Sequence, residues 1–291
     1  MKWLLTIPCW GDFYVETFQN FVLPSLRAAM AALPSADFRV IIHTNQPFDV
    51  GRLNVEFRPI LGTGDYGDFG AAHREAIELA EDGERIAFLC ADMPVSRECF
   101  LVSELHFAVG KQFVMCAAGR CRYEDAGTLT SGMSGRGLLD WSVKHPHHST
   151  LDCYFGAGRM AVPWGLYFGD DNNVILRPFH LHPFASMKGP WLSFQGVTID
   201  QDIIDHIPQD KVGVITNDQM ALVELSPDWR VFALRRQPIT AEQVAVWAVN
   251  KFSYANRWLF RHRVIIKGDG SYTGDVDVCN NILNEVEQVA A

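Results

Sequence analysis

The sequence lacks an uninterrupted apolar run of the roughly 18 to 20 residues that a membrane-spanning helix needs. Its opening apolar stretch is short and ends at Pro8, which does not fit the core of a secretory signal. We therefore expect no transmembrane segment and a cytoplasmic protein. The seven cysteines are scattered and none form a CxxC pair, which argues against a disulfide framework or a cysteine zinc site. We interpret them as reduced and structural.

Two familiar phosphate-binding signatures are also missing. The glycine-rich stretches 61–70 and 130–137 contain neither a Walker A lysine pattern nor a GxGxxG that directly follows a strand. The sequence therefore gives no support for a P-loop nucleotide site or a dinucleotide site. We interpret both stretches as loops over a cleft.

Charge is distributed unevenly along a chain that otherwise has an ordinary globular composition. Hydrophobic residues make up 48% of the chain and charged residues 20%, enough for a large core without signs of disorder. Residues 228–267 contain eight Lys or Arg against two acidic residues, a balance of +6 that leaves −15 for the rest of a chain of net charge −9. This pattern indicates that the C-terminal part faces an anion.

Strand-like and helix-like segments alternate along the N-terminal half. Apolar or β-branched runs fall at 3–9, 38–44, 55–60, 85–91 and 113–118, and segments of helical spacing fall at 12–33, 67–82 and 95–109. Continuous apolar runs are typical of strands that are covered on both faces. We predict an α/β fold with a mostly parallel central sheet and helices on both faces. We expect residues 1–226 to form the main domain and residues 227–291 a basic, aromatic helical extension packed on it.

Several polar residues fall where such a sheet binds ligands, at the carboxyl ends of its strands. The apolar stripe of the segment 67–82 includes His73, which should point inward. Helix N-termini lie at this same edge, so one crevice should be bordered by the turn Pro8-Cys9-Trp10-Gly11 and by Asp65, Asp68, His73, Arg74 and Asp92.

The stretch GAAHREAIELAEDGERIAFLCADM, residues 70–93, resembles nucleotide-sugar glycosyltransferases of the GT-A fold, which is Rossmann-like. In that family a helix, a Gly-Glu turn and an apolar strand lead into a metal-binding Asp-x-Asp, and the opening strand that runs into Pro8 is also similar. The resemblance covers about the first 120 residues. Cys90 stands in place of the family's first Asp, and His73-Arg74 in place of its frequent Arg-Asn.

The resemblance implies transfer of a sugar from a nucleotide-diphosphate donor to an acceptor hydroxyl, with Mn²⁺ or Mg²⁺ as the cofactor. Asp92 matches the family's last Asp and would hold the metal most directly. The run RPFHLHPF, residues 177–184, places His180 and His182 on one face if it is a strand. We favour His182 as the second metal ligand, and hydrogen bonding within a strand is the alternative interpretation of each histidine. Donor contacts are expected from Pro8, Trp10, Thr44, Asp65, His73 and Arg74.

An inverting transferase also needs a carboxylate that accepts the acceptor's proton. Asp200 and Asp202 follow a β-branched run and precede a helix-like segment, so either would serve. Asp200 is equally suited to cap that helix, and the two roles are compatible.

The histidine-rich run KHPHHST, residues 144–150, admits a metal cluster of His145, His147 and His148. We favour the simpler interpretation that a helix ends at Lys144-His145 before Pro146, because cations stabilise helix C-termini.

A helix predicted from about 240 to 262 begins with a Thr240–Gln243 capping box and has an apolar stripe opposite Arg257 and Arg261. Its cationic face would bind an anionic acceptor, either a lipid phosphate or a nucleic acid, or the donor's own diphosphate, or it would only be solvated. A carbohydrate or lipid-linked acceptor fits better than nucleic acid, since the rest of the chain is acidic.

Two other functions remain open. A sugar-nucleotide nucleotidyltransferase would share such a sheet, but the segment IPCWGDFY lacks its glycine-rich loop with basic residues. A catalytically inactive GT-A-like binding module is favoured by Cys90 in place of the first aspartate.

Overall fold

The computed structural model describes residues 1–60, 66–156, 165–189, 192, 201–229 and 239–290, without the side chains of Tyr66, Gln201, Asp202 and Ala290. Its strands are β1 (Lys2–Pro8), β2 (Asp37–Thr44), β3 (Val55–Pro59), β4 (Arg85–Phe88), β5 (Phe113–Cys116), β6 (Ala118–Arg122), β7 (Gly165–Gly169), β8 (Val174–Pro178), β9 (His182–Met187), β10 (Val212–Val214), β11 (Leu222–Ser226) and β12 (Val264–Lys267).

The α-helices in these ranges are α1 (Asp12–Thr17), α2 (Leu23–Ala31), α3 (Tyr66–Leu79), α4 (Cys99–Ala108), α5 (Gly135–Lys144), α6 (His148–Leu151), α7 (Ala241–Lys251), α8 (Tyr254–Phe260) and α9 (Val276–Ala290). A π-helical segment covers Phe18–Val22, and 3₁₀ helices cover Tyr123–Thr128, Gln201–Asp205 and Gln209–Lys211.

The main sheet has seven strands in the spatial order β10-β5-β9-β4-β1-β2-β3. Strand β9 is antiparallel to both of its neighbours, β4 and β5. The other four pairings in the sheet are parallel. The predicted α/β class with a mostly parallel central sheet is therefore confirmed.

Helices cover both faces of this sheet. Successive residues of a strand point to opposite faces, so one strand contributes to the core on each side. In β1, Leu4 belongs to the same buried cluster as Ala76 of α3. Its neighbour Leu5 belongs to the opposite cluster, with Leu26 of α2 and Phe100 of α4. The continuously apolar strands of the sequence thus have the two-sided burial that was predicted from them.

The first helical region runs from Asp12 to Ala31 and contains the π-helical segment in its middle. Proline occupies one of the first two positions of α2. Because Pro24 donates no backbone hydrogen bond and its ring crowds the preceding turn, the ladder there widens rather than continuing as a regular α-helix. The chain enters α1 through Gly11, whose φ of 78° is a left-handed value that suits glycine.

A smaller sheet of β7, β8 and β12 packs beside the main sheet and joins the C-terminal segment to earlier residues. Strand β12 pairs with β8 in antiparallel fashion. Residues of α7 and α9 share a buried cluster with β7, including Val244, Ile282 and Phe168. The C-terminal segment therefore contributes a strand as well as the predicted helices. None of the helices in the described part of the chain is long and apolar enough to cross a bilayer.

The single helix predicted from about 240 to 262 is wrong, because the structure has two helices, α7 and α8. Between them Ser253 is extended, and its hydroxyl accepts a hydrogen bond from the Asn256 backbone at 3.2 Å. This capping box satisfies the first donors of α8 and so starts a new helix. The predicted apolar positions are nevertheless buried on both sides of the break, as Val244 and Leu259 show.

The stretch 130–137, which we interpreted as a loop over a cleft, is a loop only in its first part. Helix α5 begins at Gly135, and the Ser134 hydroxyl caps it by accepting a hydrogen bond from the Gly137 backbone at 3.1 Å.

A buried ion network ties α9 to the smaller sheet. The fully buried Asp275 carboxylate accepts hydrogen bonds from the Arg177 Nε of β8 at 2.7 Å and from the Arg263 Nε at 3.1 Å. Two guanidinium groups therefore share one buried carboxylate at the start of α9.

Candidate functional site

The order of the main sheet reverses beside β1. The chain runs from β1 outward through β2 to β3, and β4 then returns to pair with the other edge of β1. Such a reversal opens a crevice at the carboxyl ends of the two central strands, where ligands of open α/β sheets bind. Pro8 closes β1 at this edge and is opposite His43 of β2 in the register. The segment that follows β4 reaches the same edge with Cys90 and Asp92.

Backbone hydrogen bonds fix the position of Asp92 just after the end of β4. After Phe88 the strand extends by one more hydrogen bond, from the Leu89 N–H to the Thr6 carbonyl at 3.0 Å. The carbonyl oxygen of Asp92 then accepts a hydrogen bond from the Leu225 N–H of β11 at 2.9 Å. Its side chain is only 8% exposed. Strand β11 therefore fixes the turn that carries this carboxylate.

The Asp92 carboxylate influences two thiols beside it. Burial, with Asp92 as the second cause, raises the pKa of Cys9 to about 12. The same two causes raise the pKa of Cys90 well above its ordinary value. Both thiols are therefore neutral at physiological pH, and Cys90 supplies no negative charge at this edge of the sheet.

His182 reaches the same edge of the sheet because β9 is inserted between β4 and β5. Its Nε2 atom lies 3.0 Å from the Phe88 carbonyl oxygen, so the N–H at this position donates to the end of β4. The lone pair of the neutral ring is then on Nδ1. Metal-binding histidines commonly use one ring nitrogen for the metal and donate the other to a backbone carbonyl.

The expectation that His180 and His182 share one strand face is wrong. Strand β8 ends at Pro178 and β9 begins at His182, so His180 lies in the connection between two strands. The alternation of a continuous strand does not apply across this connection.

His73 is buried beneath these groups. Its ring lies 4.6 Å from the Phe69 ring and 5.3 Å from the Phe88 ring, centroid to centroid. Neither ring nitrogen has a hydrogen-bond partner among the described residues. Burial is the main cause that lowers the pKa of His73 to about 3, and the charges on His182 and His43 act in the same direction. His73 is therefore a neutral imidazole, and it points inward as its place in the apolar stripe predicts.

Aromatic side chains continue from His73 to the turn after β1. The half-buried Trp10 ring lies edge-on to Phe69, with centroids 6.2 Å apart. Arg74 follows His73 on α3 and is half-buried, and its charge is among the causes that lower the pKa of His73. The Trp10 indole therefore packs against α3 just after the end of β1.

Thr44 is committed to a local turn at the end of β2. Its hydroxyl donates to the Gln46 carbonyl oxygen at 3.1 Å, and its side chain is buried. Its neighbour His43, which the sequence analysis did not single out, is 1% exposed and has Nδ1 3.4 Å from a Glu75 carboxylate oxygen. Burial lowers the pKa of His43. Its position at a strand's carboxyl end was the signal that could have identified it.

The sequence analysis also missed an ion pair between the half-buried Arg120 and the buried Glu224, whose charged atoms lie 2.9 Å apart. Glu224 lies on β11, and its charge is one of the causes that raise the pKa of Cys90. It therefore lies near the turn that carries Asp92. The alternating run LVELS, 222–226, was the available signal for this strand.

Other predicted site residues stand apart from these. Asp65 and Asp200 lie outside the described residues, and Asp202 lies in the 3₁₀ helix Gln201–Asp205 without a described side chain. Arg257 is half-buried in the last turn of α8. Arg261 is exposed and forms an ion pair with Glu287 of α9, which offsets part of its charge.

Comparison with known proteins returned little. No protein-family model matches the chain, and no curated protein matches its sequence significantly. Among solved structures it is similar to the crystal structure of residues 1–349 of S. aureus TarS, a glycosyltransferase, with a TM-score of 0.32 and 15% sequence identity. The match covers 41% of this chain and 36% of the TarS chain. A likeness at this level does not establish a shared activity.

Proposed function

We propose that the protein is a glycosyltransferase that moves a sugar from a nucleotide-diphosphate donor to an acceptor hydroxyl. The observation that carries the proposal is the reversal of the strand order between β1 and β4, with a buried carboxylate, Asp92, just after the end of β4. His182 enters this edge of the sheet from β9 and donates to the end of β4. The crevice thus combines the place where open α/β sheets bind nucleotides with ligands suited to a divalent cation.

The donor set of one carboxylate and one imidazole fits Mn²⁺, and Mg²⁺ would use the carboxylate alone. These ions bind through one or two carboxylates and complete their coordination with phosphate oxygens and water, and Mn²⁺ also accepts imidazole. Asp92 would supply the carboxylate and His182 the Nδ1 lone pair. A cation held there would neutralise the charge that builds on the leaving diphosphate. Cys90 would take no part as an anion, because its pKa is raised well above the ordinary thiol value.

On the β1 side of the crevice, Trp10 would stack on the base of the donor and Arg74 would pair with its diphosphate. A half-buried indole suits stacking on a base, and a half-buried guanidinium suits pairing with phosphate oxygens. Pro8 and Thr44 would shape the crevice rather than bind the donor, since the Thr44 hydroxyl is committed to the Gln46 carbonyl oxygen. Asp65 remains a proposed donor contact.

Asp200 and Asp202 are our candidates for the carboxylate that accepts the acceptor's proton. Arg257 is our main candidate for contact with an anionic acceptor, and Arg261 ranks below it because of its ion pair with Glu287. We rank carbohydrate and lipid-linked acceptors above nucleic acid, because residues outside 228–267 carry a net charge of −15 that would repel a long polyanion.

Calorimetry with uridine, guanosine and cytidine diphosphates, with and without Mn²⁺, tests the proposal. We expect one of them to bind with Mn²⁺ at least ten times more tightly than without it. Asp92→Asn should remove this Mn²⁺ effect and abolish turnover, while the melting temperature of the metal-free protein stays nearly unchanged. Asp82→Asn, an exposed change near the end of α3, is the matched control and should behave as wild type.

Two outcomes would contradict parts of this proposal. Equal activity in EDTA would remove the metal, and unfolding of Asp92→Asn would make Asp92 structural. Mn²⁺-dependent nucleotide binding without transfer to any acceptor would instead favour the inactive binding module that Cys90 suggests. Release of diphosphate from a nucleoside triphosphate and a sugar phosphate would favour a nucleotidyltransferase.

A further inference from the structure

We propose a second metal site, for a divalent transition-metal ion of the Zn²⁺ type, formed by His147, His148 and Asp228. It is independent of the crevice and of the proposed transferase activity. One potential ligand atom from each of the three side chains lies within 4.8 Å of the other two. His147 and His148 stand at the start of α6, and Asp228 follows β11. The fold therefore brings together two segments that are far apart in the sequence.

The helix predicted to end at Lys144-His145 is present as α5, so that interpretation of the histidine run is correct for its first part. His145 is directed elsewhere, because its ring stacks on Trp141 and its Nδ1 atom lies 3.3 Å from Asp125. The metal cluster of three neighbouring histidines is therefore not formed. Asp228 takes the place that His145 had in that hypothesis.

His147 is completely buried, and its two ring nitrogens face different partners. Nδ1 lies 2.7 Å from the Ser149 hydroxyl oxygen and accepts a hydrogen bond from the Ser149 backbone N–H at 3.3 Å, which caps α6. Nε2 lies 3.4 Å from the Pro227 carbonyl oxygen, longer than a usual N–H···O bond. Two ligands at about 2.1 Å from one tetrahedral Zn²⁺ are themselves about 3.4 Å apart. A metal ion on Nε2 would select the other tautomer, in which Nδ1–H donates to the Ser149 hydroxyl, and the 3.3 Å hydrogen bond from the Ser149 backbone N–H to Nδ1 would be given up in exchange.

His148 supplies the second imidazole. Its ring centroid is 3.9 Å from that of His147, and its Nε2 atom is buried without a hydrogen-bond partner among the described residues. A buried polar atom without a partner is costly. A cation bound to Nε2 would satisfy it.

Asp228 supplies an ionised carboxylate. Hydrogen bonding from Arg122 is the main cause that lowers the pKa of Asp228 below its ordinary value. The Arg122 nitrogens lie 3.2 Å from Oδ1 and 2.8 Å from Oδ2. A carboxylate accepts about four interactions, so both oxygens keep lone pairs for a cation. The acidic side chains of Asp125 and Glu124 lie close by and offset the Arg122 charge, since Asp125 pairs with Arg122 and Glu124 accepts from the Asp228 N–H.

Two imidazoles and one carboxylate are the ligands of tetrahedral Zn²⁺ sites, whereas Mg²⁺ prefers oxygen alone. A fourth position would be left for water or the Pro227 carbonyl oxygen. The ion would join the end of β11 to the start of α6. The Leu225 N–H of β11 donates to the Asp92 carbonyl oxygen, so the ion would stabilise the strand that fixes the Asp92 turn.

Zn²⁺ competition between a chromogenic chelator and the full-length, metal-depleted protein tests this site. The titration uses the Asp92→Asn variant, whose crevice lacks the Asp92 carboxylate. Zn²⁺ binding in the crevice then does not contribute to the measured Kd, and failure of the proposed transferase function does not affect the result. We expect one Zn²⁺ per chain, no competition from millimolar Mg²⁺, and Kd raised at least tenfold by His148→Ala and by Asp228→Asn. His145→Ala is the matched control from the same segment and should leave Kd unchanged.

X-ray absorption at the zinc edge should show two imidazole ligands in the protein that retains His147, His148 and Asp228. The proposal is overturned if neither His148→Ala nor Asp228→Asn weakens Zn²⁺ binding, or if His145→Ala weakens it as much as they do. Circular dichroism of each metal-depleted variant establishes that it is folded before titration. A variant that does not fold is replaced by His148→Gln, which keeps a polar side chain and removes the imidazole.

Discussion

His73 should contribute to the pH dependence of the protein's stability, and His73→Phe should remove that contribution. The folded-state pKa of about 3 lies below the ordinary value of 6.5. Between these values the unfolded chain binds a proton that the folded protein does not, so stability falls as the pH falls. Between pH 7 and pH 5 the loss from this one group amounts to roughly 2 kcal/mol, because the folded state stays neutral at pH 5 while the unfolded imidazole becomes almost fully protonated.

Urea unfolding followed by tryptophan fluorescence at pH 7 and pH 5 measures the effect. Phenylalanine preserves the ring contacts with Phe69 and Phe88 and cannot take up a proton. The stability of wild type relative to His73→Phe should therefore fall by roughly 2 kcal/mol on going from pH 7 to pH 5. His206→Phe, which replaces an exposed histidine with the same side chain, is the matched control. A relative stability that is equal at the two pH values would refute a neutral, buried His73.

The remaining predictions concern the C-terminal segment. Arg257→Gln should raise the acceptor KM and lower the slope of its salt dependence by about one unit. Arg261→Gln should have a smaller effect, because Glu287 already offsets the charge of Arg261. The donor KM should be unchanged in both variants. An acceptor KM without salt dependence in any of these proteins would assign the basic face to solvent. Asp275→Asn should destabilise the protein by about 3 kcal/mol, because it leaves Arg177 and Arg263 in a buried site without the negative charge that both pair with. Chemical unfolding measures this loss of stability. Asp277→Asn, an exposed change on α9, is the control. An equal loss of stability in the two variants would contradict the role of the ion network.

Local sequence patterns were sufficient for much of the fold. The apolar runs that became β1, β2 and β4 are buried on both faces, and this is why they carry no alternation and could be recognised as central strands. The antiparallel position of β9 between β4 and β5 could not be read in this way. Which strands become neighbours depends on packing between distant segments, and no spacing within 182–187 records it.

Some residues of the candidate site could likewise be placed from local sequence patterns, and others could not. Asp92 and His73 could be placed from the ends of predicted elements, since their positions follow from the direction of the neighbouring strand or helix. His180 was misplaced because two apolar strands in succession resemble one long strand when the bend between them is short. The pairing of Arg261 with Glu287 depends on contacts between separate elements, which one sequence does not contain.

The insertion of β9 has a consequence for how the chain folds during synthesis. β4 and β5 follow one another closely, but the strand that must lie between them begins only at His182. Until that strand emerges from the ribosome, both β4 and β5 present an open edge, which is prone to mispairing and aggregation. The crevice that holds Asp92 is thus completed late, and a nascent chain that stalls before Met187 would expose the two hydrophobic edges that the finished sheet buries.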